Sequence, residues 1–361
     1  MKGRGKISGI LRYAVFLIFF ILLALEILLR FFYPFPNKVR GERFELATNT
    51  TYRLINDFNP RLDSLIINHR NSLGFRGAEP ARQKGLYILA SGGSTTACTF
   101  LSEGHTWCDM LQQLSGDSVT VNNAGLDGHS SFGNLALLKY YLPGLPVKPD
   151  IILFMCGAND VDRNDLPDYN MDQQAGFFQR SKSWLRTHSE TLRLITDLKN
   201  LWFPNDIYSD RRYWQFANAQ PLELSNAYID SSLLRQEPLL KNYKARLDHM
   251  IALCREQGIQ PVFISQALAY TSPDKRTSVS GNPLQRMNQM DNGLLFYRKL
   301  QLYNTVTRET CQSRQIPFID LAEKLPADTT FFYDPVHFTN RGADTVGKII
   351  YQELAPILRS R

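Results

Sequence analysis

The chain is poor in the features that announce a metal site, a nucleic-acid surface or a repeat architecture. It has five cysteines, Cys98, Cys108, Cys156, Cys254 and Cys311, and no two stand in C-x-x-C spacing, which argues against the common zinc signatures. Histidines number six, and His69, His105, His188 and His249 show no ligand spacing, so no metal or other cofactor is expected. Lys+Arg exceed Asp+Glu by 41 to 34, yet this +7 is spread along the chain. No basic block is interleaved with aromatics, so a nucleic-acid partner is not expected. No internal repeat is visible. A single long apolar run occurs, and no A-x-A-like cleavage site follows it, which argues against a removed leader. With 43% hydrophobic and 21% charged residues, the remainder has the composition of an ordinary globular domain with its own core.

That apolar run is the first positive signal. Lys2, Arg4, Lys6 and Arg12 precede an uncharged stretch from Tyr13 to Leu25; Glu26 interrupts it, Ile27–Leu29 resume it, and Arg30, Phe31, Phe32 and Tyr33 close it. A helix needs about 20 residues to span the hydrocarbon core, and residues 13–33 supply them. Glu26 and Arg30 lie one turn apart and can pair near the interface, and the aromatics suit an interfacial belt. We therefore expect a basic tail at 1–12 and an uncleaved transmembrane anchor at 13–33, with the lipid bilayer as partner. A buried core helix would show the same apolar run; the flanking basic residues weigh against it. Arg30, Lys38, Arg40 and Arg43 nearly balance the charges on the near side, so charge alone does not orient the segment.

Residues 34–50 read as a linker and 51–85 as an irregular extension. From residue 86 the pattern is regular. Short apolar runs at 86–90, 119–121, 150–155, 260–265 and 317–321 read as strands buried on both faces. Helical patterns lie near 105–114, 133–141, 239–257, 294–314 and 340–358. This alternation predicts an α/β domain over 86–361 with a mostly parallel, five-stranded sheet covered by helices on both sides. Two interruptions stand out: an aromatic-rich, partly helical insertion at 161–238 and a polar loop at 267–293. Trp184, Trp202, Phe203, Tyr208, Tyr213, Trp214 and Phe216 lie in the insertion, where packing is the default reading and stacking on sugar rings the sharper one.

In an open parallel sheet, ligands bind at the carboxyl ends of the strands. The first strand is followed by Ser91-Gly92-Gly93-Ser94-Thr95-Thr96, the second by Asn122-Asn123-Ala124-Gly125-Leu126-Asp127-Gly128, and the third by Cys156-Gly157-Ala158-Asn159-Asp160; past the fifth comes Asp334-Pro335-Val336-His337-Phe338. These segments bring a hydroxyl, an imidazole, a carboxylate, an amide and two glycine-rich turns to one edge. That inventory suits acyl transfer: Ser94 as nucleophile, His337 as general base, and Asp334 to orient the imidazole. The backbone N–H groups of Ser94 and Gly128 and the side-chain amide of Asn159 would form the oxyanion hole. Gly116-Asp117-Ser118 precedes a strand and reads as a turn. Asp160 is expected to orient the turn around Asn159, Cys156 to pack in the core, and His129 to sit on a surface loop beside Gly128.

These blocks resemble those of the SGNH, or GDSL-like, hydrolases. Gly92-Gly93-Ser94 is similar to the serine block, Gly128 to the glycine block, Gly157-Ala158-Asn159-Asp160 to the G-x-N-D block and Asp334-Pro335-Val336-His337 to the D-x-x-H block. The resemblance covers roughly residues 86–358; Asn71-to-Gly77 also resembles the membrane-anchored bacterial members. One departure is Gly93, where the name-giving motif has Asp. The resemblance implies a flavodoxin-like three-layer α/β/α fold and metal-free ester hydrolysis by Ser94, His337 and Asp334. The uncleaved apolar segment and a possible Cys98–Cys108 bridge lead us to expect a single-pass protein with its catalytic domain outside the cytoplasm, on the periplasmic side of a bacterial inner membrane. Cys98 and Cys108 could form a disulfide there; that all five cysteines are small buried hydrophobes is an equally good reading. The substrate is expected to be an acyl ester, with acetylated cell-surface glycans as one class that an anchor suggests. An O-acyltransferase acting on an envelope polysaccharide would use the same triad, with the insertion and the 267–293 loop excluding water. A non-catalytic, membrane-tethered glycan-binding protein would keep the fold without needing the triad.

Overall fold

The computed structural model describes residues 3–32, 38–40, 43–46, 48–57, 59–79, 85–163, 224–269, 293–328 and 330–359, with scattered positions between 189 and 198. Helix α1 (Gly3–Phe32) opens the chain. Its Arg12–Phe32 window, of mean hydropathy 2.7, is long and apolar enough to cross a membrane or to serve as a signal sequence.

The stretch expected to be linker and irregular extension contains two antiparallel hairpins. Strands β1 (Lys38–Arg40) and β2 (Arg43–Glu45) form one, and β3 (Thr50–Ile55) and β4 (Leu65–Arg70) the other. The second pairs in register from Thr50 with Arg70 to Ile55 with Leu65. Polar residues such as Asn68 and Arg70 occupy buried positions of β4, so the hydrophobic alternation that signals a strand is diluted.

The main sheet has five parallel strands: β5 (Leu86–Gly92), β6 (Val119–Asn123), β7 (Ile151–Met155), β8 (Gln260–Ile264) and β9 (Phe318–Ile319). Their spatial order is β6-β5-β7-β8-β9, which is the flavodoxin order. Alternate side chains enter two cores. Ile88, Ile151, Leu153, Val262 and Ile264 pack with Trp107 and Leu111 of α3 (Trp107–Ser115) and with Val346, Ile350 and Leu354 of the terminal helix (Asn340–Arg359). Leu89, Ile152, Phe154 and Phe263 pack on the other side, against Tyr243, Leu247 and Met250 of one long helix (Glu237–Glu256) and Leu300 and Tyr303 of another (Gly293–Arg314). Complete burial of each such side chain contributes roughly 1.5–3 kcal/mol, so a strand apolar on both faces belongs in the middle of three layers.

In chain order the helices around the main sheet are α2 (Ser94–Ala97), α3, α4 (Ser131–Ala136), α5 (Asn226–Leu234), α6 (Glu237–Glu256), α7 (Gly293–Arg314), α8 (Leu321–Lys324) and α9 (Asn340–Arg359). Two expectations differ in detail. The helix expected at 133–141 is α4 followed by one π-helical turn, Leu137–Tyr141. The fifth strand has only two residues, because the side chain of Asp320 is taken up by Ser265 Oγ at 2.9 Å and by Arg308, and α8 starts at Leu321. Of the 161–238 insertion, α5 is described; the aromatic cluster from Trp184 to Phe216 lies outside the described residues, as does most of the 267–293 loop.

The segment between β4 and β5 is fastened to the sheet. Arg76 exchanges two backbone hydrogen bonds with Asn123 at the end of β6, each 2.9 Å. Its guanidinium donates to the carbonyls of Ala97, Cys98 and Leu101, all at 2.9 Å, and pairs with Glu103 at 2.8 Å. Cations are favoured where a helix leaves its last carbonyls unpaired, and these include the C-terminal end of α2.

Candidate active site

Strand order reverses between β5 and β7, since the chain crosses first to β6 on one side and then to β7 on the other. The crevice above such a switch point is where ligands bind in this architecture, and three of the expected segments lie there. Ser94 is the first residue of α2, immediately beyond β5, and is half-buried. The loop after β6 is tied back to β5 by hydrogen bonds from Ala124 N–H to Ala90 O (2.8 Å) and from Leu126 N–H to Gly92 O (3.1 Å). Asn123 reinforces it by donating from Nδ2 to Thr96 O at 2.6 Å. A Cβ on Gly125 would run into the backbone of Thr96 and Ala97. Gly128 follows with φ +76°, a left-handed conformation that glycine adopts without strain.

The Asp334–His337 segment approaches from the other end of the chain. His337 Nε2 lies 2.7 Å from Ser94 Oγ, and His337 Nδ1 lies 2.6 Å from Asp334 Oδ2. The second carboxylate oxygen, Oδ1, accepts the backbone N–H groups of Val336 (2.9 Å) and His337 (2.8 Å). Burial pushes the Asp334 carboxyl upward, but the His337 imidazole and the two backbone N–H donors outweigh it, and the group is held below the usual carboxylate range. An ionised Asp334 fixes the tautomer: Nδ1 carries the proton and Nε2 accepts from Ser94 Oγ.

Asn159 stands on the short 3₁₀ turn Ala158–Asp160 after β7, and its Nδ2 donates to the carbonyl of His129 at 3.0 Å. A Cβ on Gly93 would fall against that Nδ2 and within 2.8 Å of the His129 oxygen. The departure from the Asp of the family motif therefore leaves room for the Asn159 amide beside the Gly93–Ser94 peptide. Asp160 anchors the turn from below. Its buried carboxylate accepts Ser131 Oγ (2.5 Å), Ser131 N–H (3.1 Å), Gly157 N–H (3.2 Å) and Arg246 Nη2 (3.3 Å). Arg246 in turn reaches Ser131 Oγ at 2.6 Å and lies over the Phe132 ring. Burial raises the Asp160 carboxyl above its ordinary value despite these donors, as befits a structural group kept from water.

The structure thus brings Ser94, His337 and Asp334 into one hydrogen-bonded chain and sets Asn159 against the turn that carries Ser94. Cys156 is in the core, with Sγ 3.4 Å from Tyr243 Oη. His129 contributes its carbonyl to the site, where a surface role was expected. Gly116–Ser118 is a turn leading into β6, and the Ser118 carbonyl accepts the N–H of Leu86, at the strand ends opposite Ser94. All five cysteines are buried free thiols, Cys98 and Cys108 included. Among the described residues no cluster of three potential metal ligands occurs.

Other participants went unread in the sequence. The Tyr333 ring stacks on the His337 ring at 5.6 Å between centroids, and Tyr333 N–H donates to His337 O at 3.0 Å. Beside Ser94, Thr95 Oγ1 bonds Gln266 Nε2 at 2.9 Å, and the Gln266 backbone makes a pair of 3.0 Å bonds with the Asn304 amide. Ala269 N–H donates to Pro335 O at 2.9 Å, so the segment after β8 ties the serine half to the histidine half. These partners are up to 171 residues apart, beyond the reach of any local pattern.

The model of the GDSL-like lipase/acylhydrolase family matches residues 90–345. The chain belongs to that family. As a GDSL-like acylhydrolase it is an ester hydrolase. No curated protein matches the sequence. Among solved structures, it is similar to a putative lipolytic protein of the G-D-S-L family from Desulfitobacterium hafniense (12% identity, 75% of this chain and 100% of the other, TM-score 0.42). It is also similar to a lipase/acylhydrolase from Enterococcus faecalis (16%, 75% and 96%, 0.41) and to an acetylxylan esterase from Geobacillus stearothermophilus (13%, 75% and 94%, 0.41).

Proposed function

We propose that this acylhydrolase is a membrane-anchored serine esterase that works through Ser94, His337 and Asp334. The observation that carries the reading is the unbroken chain of short hydrogen bonds from the Asp334 carboxylate through the His337 ring to Ser94 Oγ. Ser94 Oγ attacks the ester carbonyl while His337 Nε2 takes its proton. Asp334 keeps the imidazole in the required tautomer and stabilises the imidazolium that forms. The tetrahedral oxyanion is met by the N–H groups of Ser94 and Gly128 and by Asn159 Nδ2, and each such donor is worth ~10²–10³ in turnover. His337 then returns the proton to the departing alcohol, and water, activated by the same imidazole, releases the acid.

The anchor is α1, retained as a single span with the catalytic domain outside the cytoplasm. The free thiols of Cys98 and Cys108 lend that sidedness no support and the flanking charges do not orient the span, so the protease experiment below decides it. Acyl esters of cell-surface glycans, acetyl esters among them, are the substrate class that such tethering favours.

A fluorophosphonate tests the nucleophile. Labelling is expected at Ser94 alone, and Ser94→Ala should remove both labelling and ester turnover, by on the order of 10⁶-fold in kcat, with thermal stability almost unchanged. Labelling that persists in the variant, or that maps to Ser118, would sink the assignment. Acetate release from a panel of acetylated glycans, with and without added sugar acceptor, defines the substrate; release that requires acceptor would make the enzyme a transferase. Protease added to intact spheroplasts should digest the domain, and protection until lysis would reverse the topology.

A further inference from the structure

Glu26 is a carboxylate in the middle of an apolar surface. It lies inside the Arg12–Phe32 window, six residues and about 9 Å of helical rise before Phe32. An ionisable side chain at such a depth is costly unless paired, and its partner is informative. Arg30 Nε stands 3.4 Å from one carboxylate oxygen. The remaining partners come from the insertion: Ser189 Oγ donates at 2.9 Å, Glu190 N–H at 2.9 Å and Thr191 N–H at 3.1 Å. These are the first residues of a stretch whose described positions, Glu190 to Leu192, Leu194, Ile195 and Leu198, have helical backbone. Glu26 therefore accepts the N–H groups of Glu190 and Thr191 at the start of that turn as an N-terminal cap would.

The side chains on either side of this latch point to its surroundings. On α1, Leu25, Glu26 and Leu29 are half-buried, whereas Leu22, Leu23, Ile27 and Leu28 are exposed. On the docked stretch, Thr191 is buried while Leu192, Ile195 and Leu198 are exposed at 38%, 55% and 40%. Their spacing of three puts them on one side of a helix. Leu192 follows directly on the residues that Glu26 holds, and Ile195 and Leu198 stand about one and two helical turns further along.

We propose that the 189–198 stretch is a second membrane contact. It returns from the catalytic domain to the bilayer boundary beside α1, is latched there by Glu26, and presents Leu192, Ile195 and Leu198 to lipid. This rests on the reading of α1 as a membrane span. Tethering by one helix alone would leave the domain free to swivel; a second attachment restricts its orientation over the membrane surface.

The test uses the full-length chain in vesicles of phosphatidylethanolamine and phosphatidylglycerol. The native thiols are buried, with Cys98, Cys254 and Cys311 pushed up to about 12, so a thiol-reactive, polarity-sensitive dye reports on an introduced cysteine. Ile195→Cys is compared with Leu234→Cys, a position of α5 that is 63% exposed. The dye at 195 should emit to the blue and be quenched by a headgroup-level lipid quencher, and the dye at 234 should not. Glu26→Gln, which removes the charge that holds the N–H groups, should cut quenching at 195 several-fold while the chain still resists alkaline extraction. Equal, water-like signals from 195 and 234 in a chain that resists extraction would overturn the second contact and leave the span standing. Release of the unaltered chain by alkali would overturn the span and this proposal together.

Discussion

The two halves of the site are held by different means. The serine half is set by backbone packing: Gly93 and Gly125 stand where a Cβ would collide with Asn159 or with α2, and Leu126 and Ala124 are tied to β5. The histidine half is set by side chains: Asp334 gathers two N–H groups and one imidazole, and Tyr333 lies flat on the ring. A turn that is fixed by missing atoms tolerates almost no addition. A segment fixed by hydrogen bonds tolerates shape-preserving exchange but not loss of charge or of the correct tautomer.

The largest effect that separates the halves should come from Asp334→Asn. The amide keeps the shape but presents an N–H donor where an acceptor is needed, which favours the wrong imidazole tautomer. Turnover should fall about 10⁴-fold, with fluorophosphonate labelling slowed in proportion. A loss of less than tenfold would show that the carboxylate only packs, and the contrast between halves would weaken.

On the serine side, Gly93→Ala should displace the Asn159 amide. Turnover is expected to fall ~10²–10³-fold, as for loss of one oxyanion donor, with KM little changed, and Asn159→Ala should lose little more when added to it. Two independent losses that multiply would mean that Gly93 does not act through Asn159. The new methyl should also cost about 1–3 kcal/mol in a thermal or denaturant melt, whereas Asp334→Asn is not expected to overpack anything.

The smallest effect is one of pH. Because the Asp334 carboxyl is lowered in the folded protein, its stabilisation is present above the unfolded carboxylate pKa of about 3.9. It is lost as the pH falls through the folded value. Melting curves taken from neutral to acid should therefore drop less steeply for Asp334→Asn than for the unaltered chain below about pH 4. Parallel curves would assign the acid limb to other carboxylates.

What the sequence revealed followed the same division. Runs apolar on both faces, such as Ile151–Met155, identified the central strands, because burial on both sides leaves no polar alternation to confuse. The blocks at the strand ends followed from the rule that open parallel sheets bind at their carboxyl edge. The β3–β4 hairpin stayed hidden because Asn68 and Arg70 fill inward positions. The fifth strand was overestimated because Asp320, apparently a strand residue, serves Ser265 and Arg308. The contacts of Tyr333, Gln266 and Asn304 are tertiary and leave no periodic trace. The expected roles of Gly128 and Asn159 stand as proposals, and the Gly93 and Asn159 variants above test the second.

Arg76 has a practical consequence. A chain shortened to begin at residue 86 would keep every block by which the family is recognised, yet it would lose the guanidinium that ties down the carbonyls of Ala97, Cys98 and Leu101. It would also lose the two backbone hydrogen bonds by which Arg76 covers Asn123 at the outer edge of β6. That end of the edge would then be open to a neighbouring molecule, and the helix that begins at Ser94 would be left to fray at its far end. The place to sever the enzyme from α1 lies before Thr50, not at the first strand of the sheet: what reads as a tether behaves as a clasp.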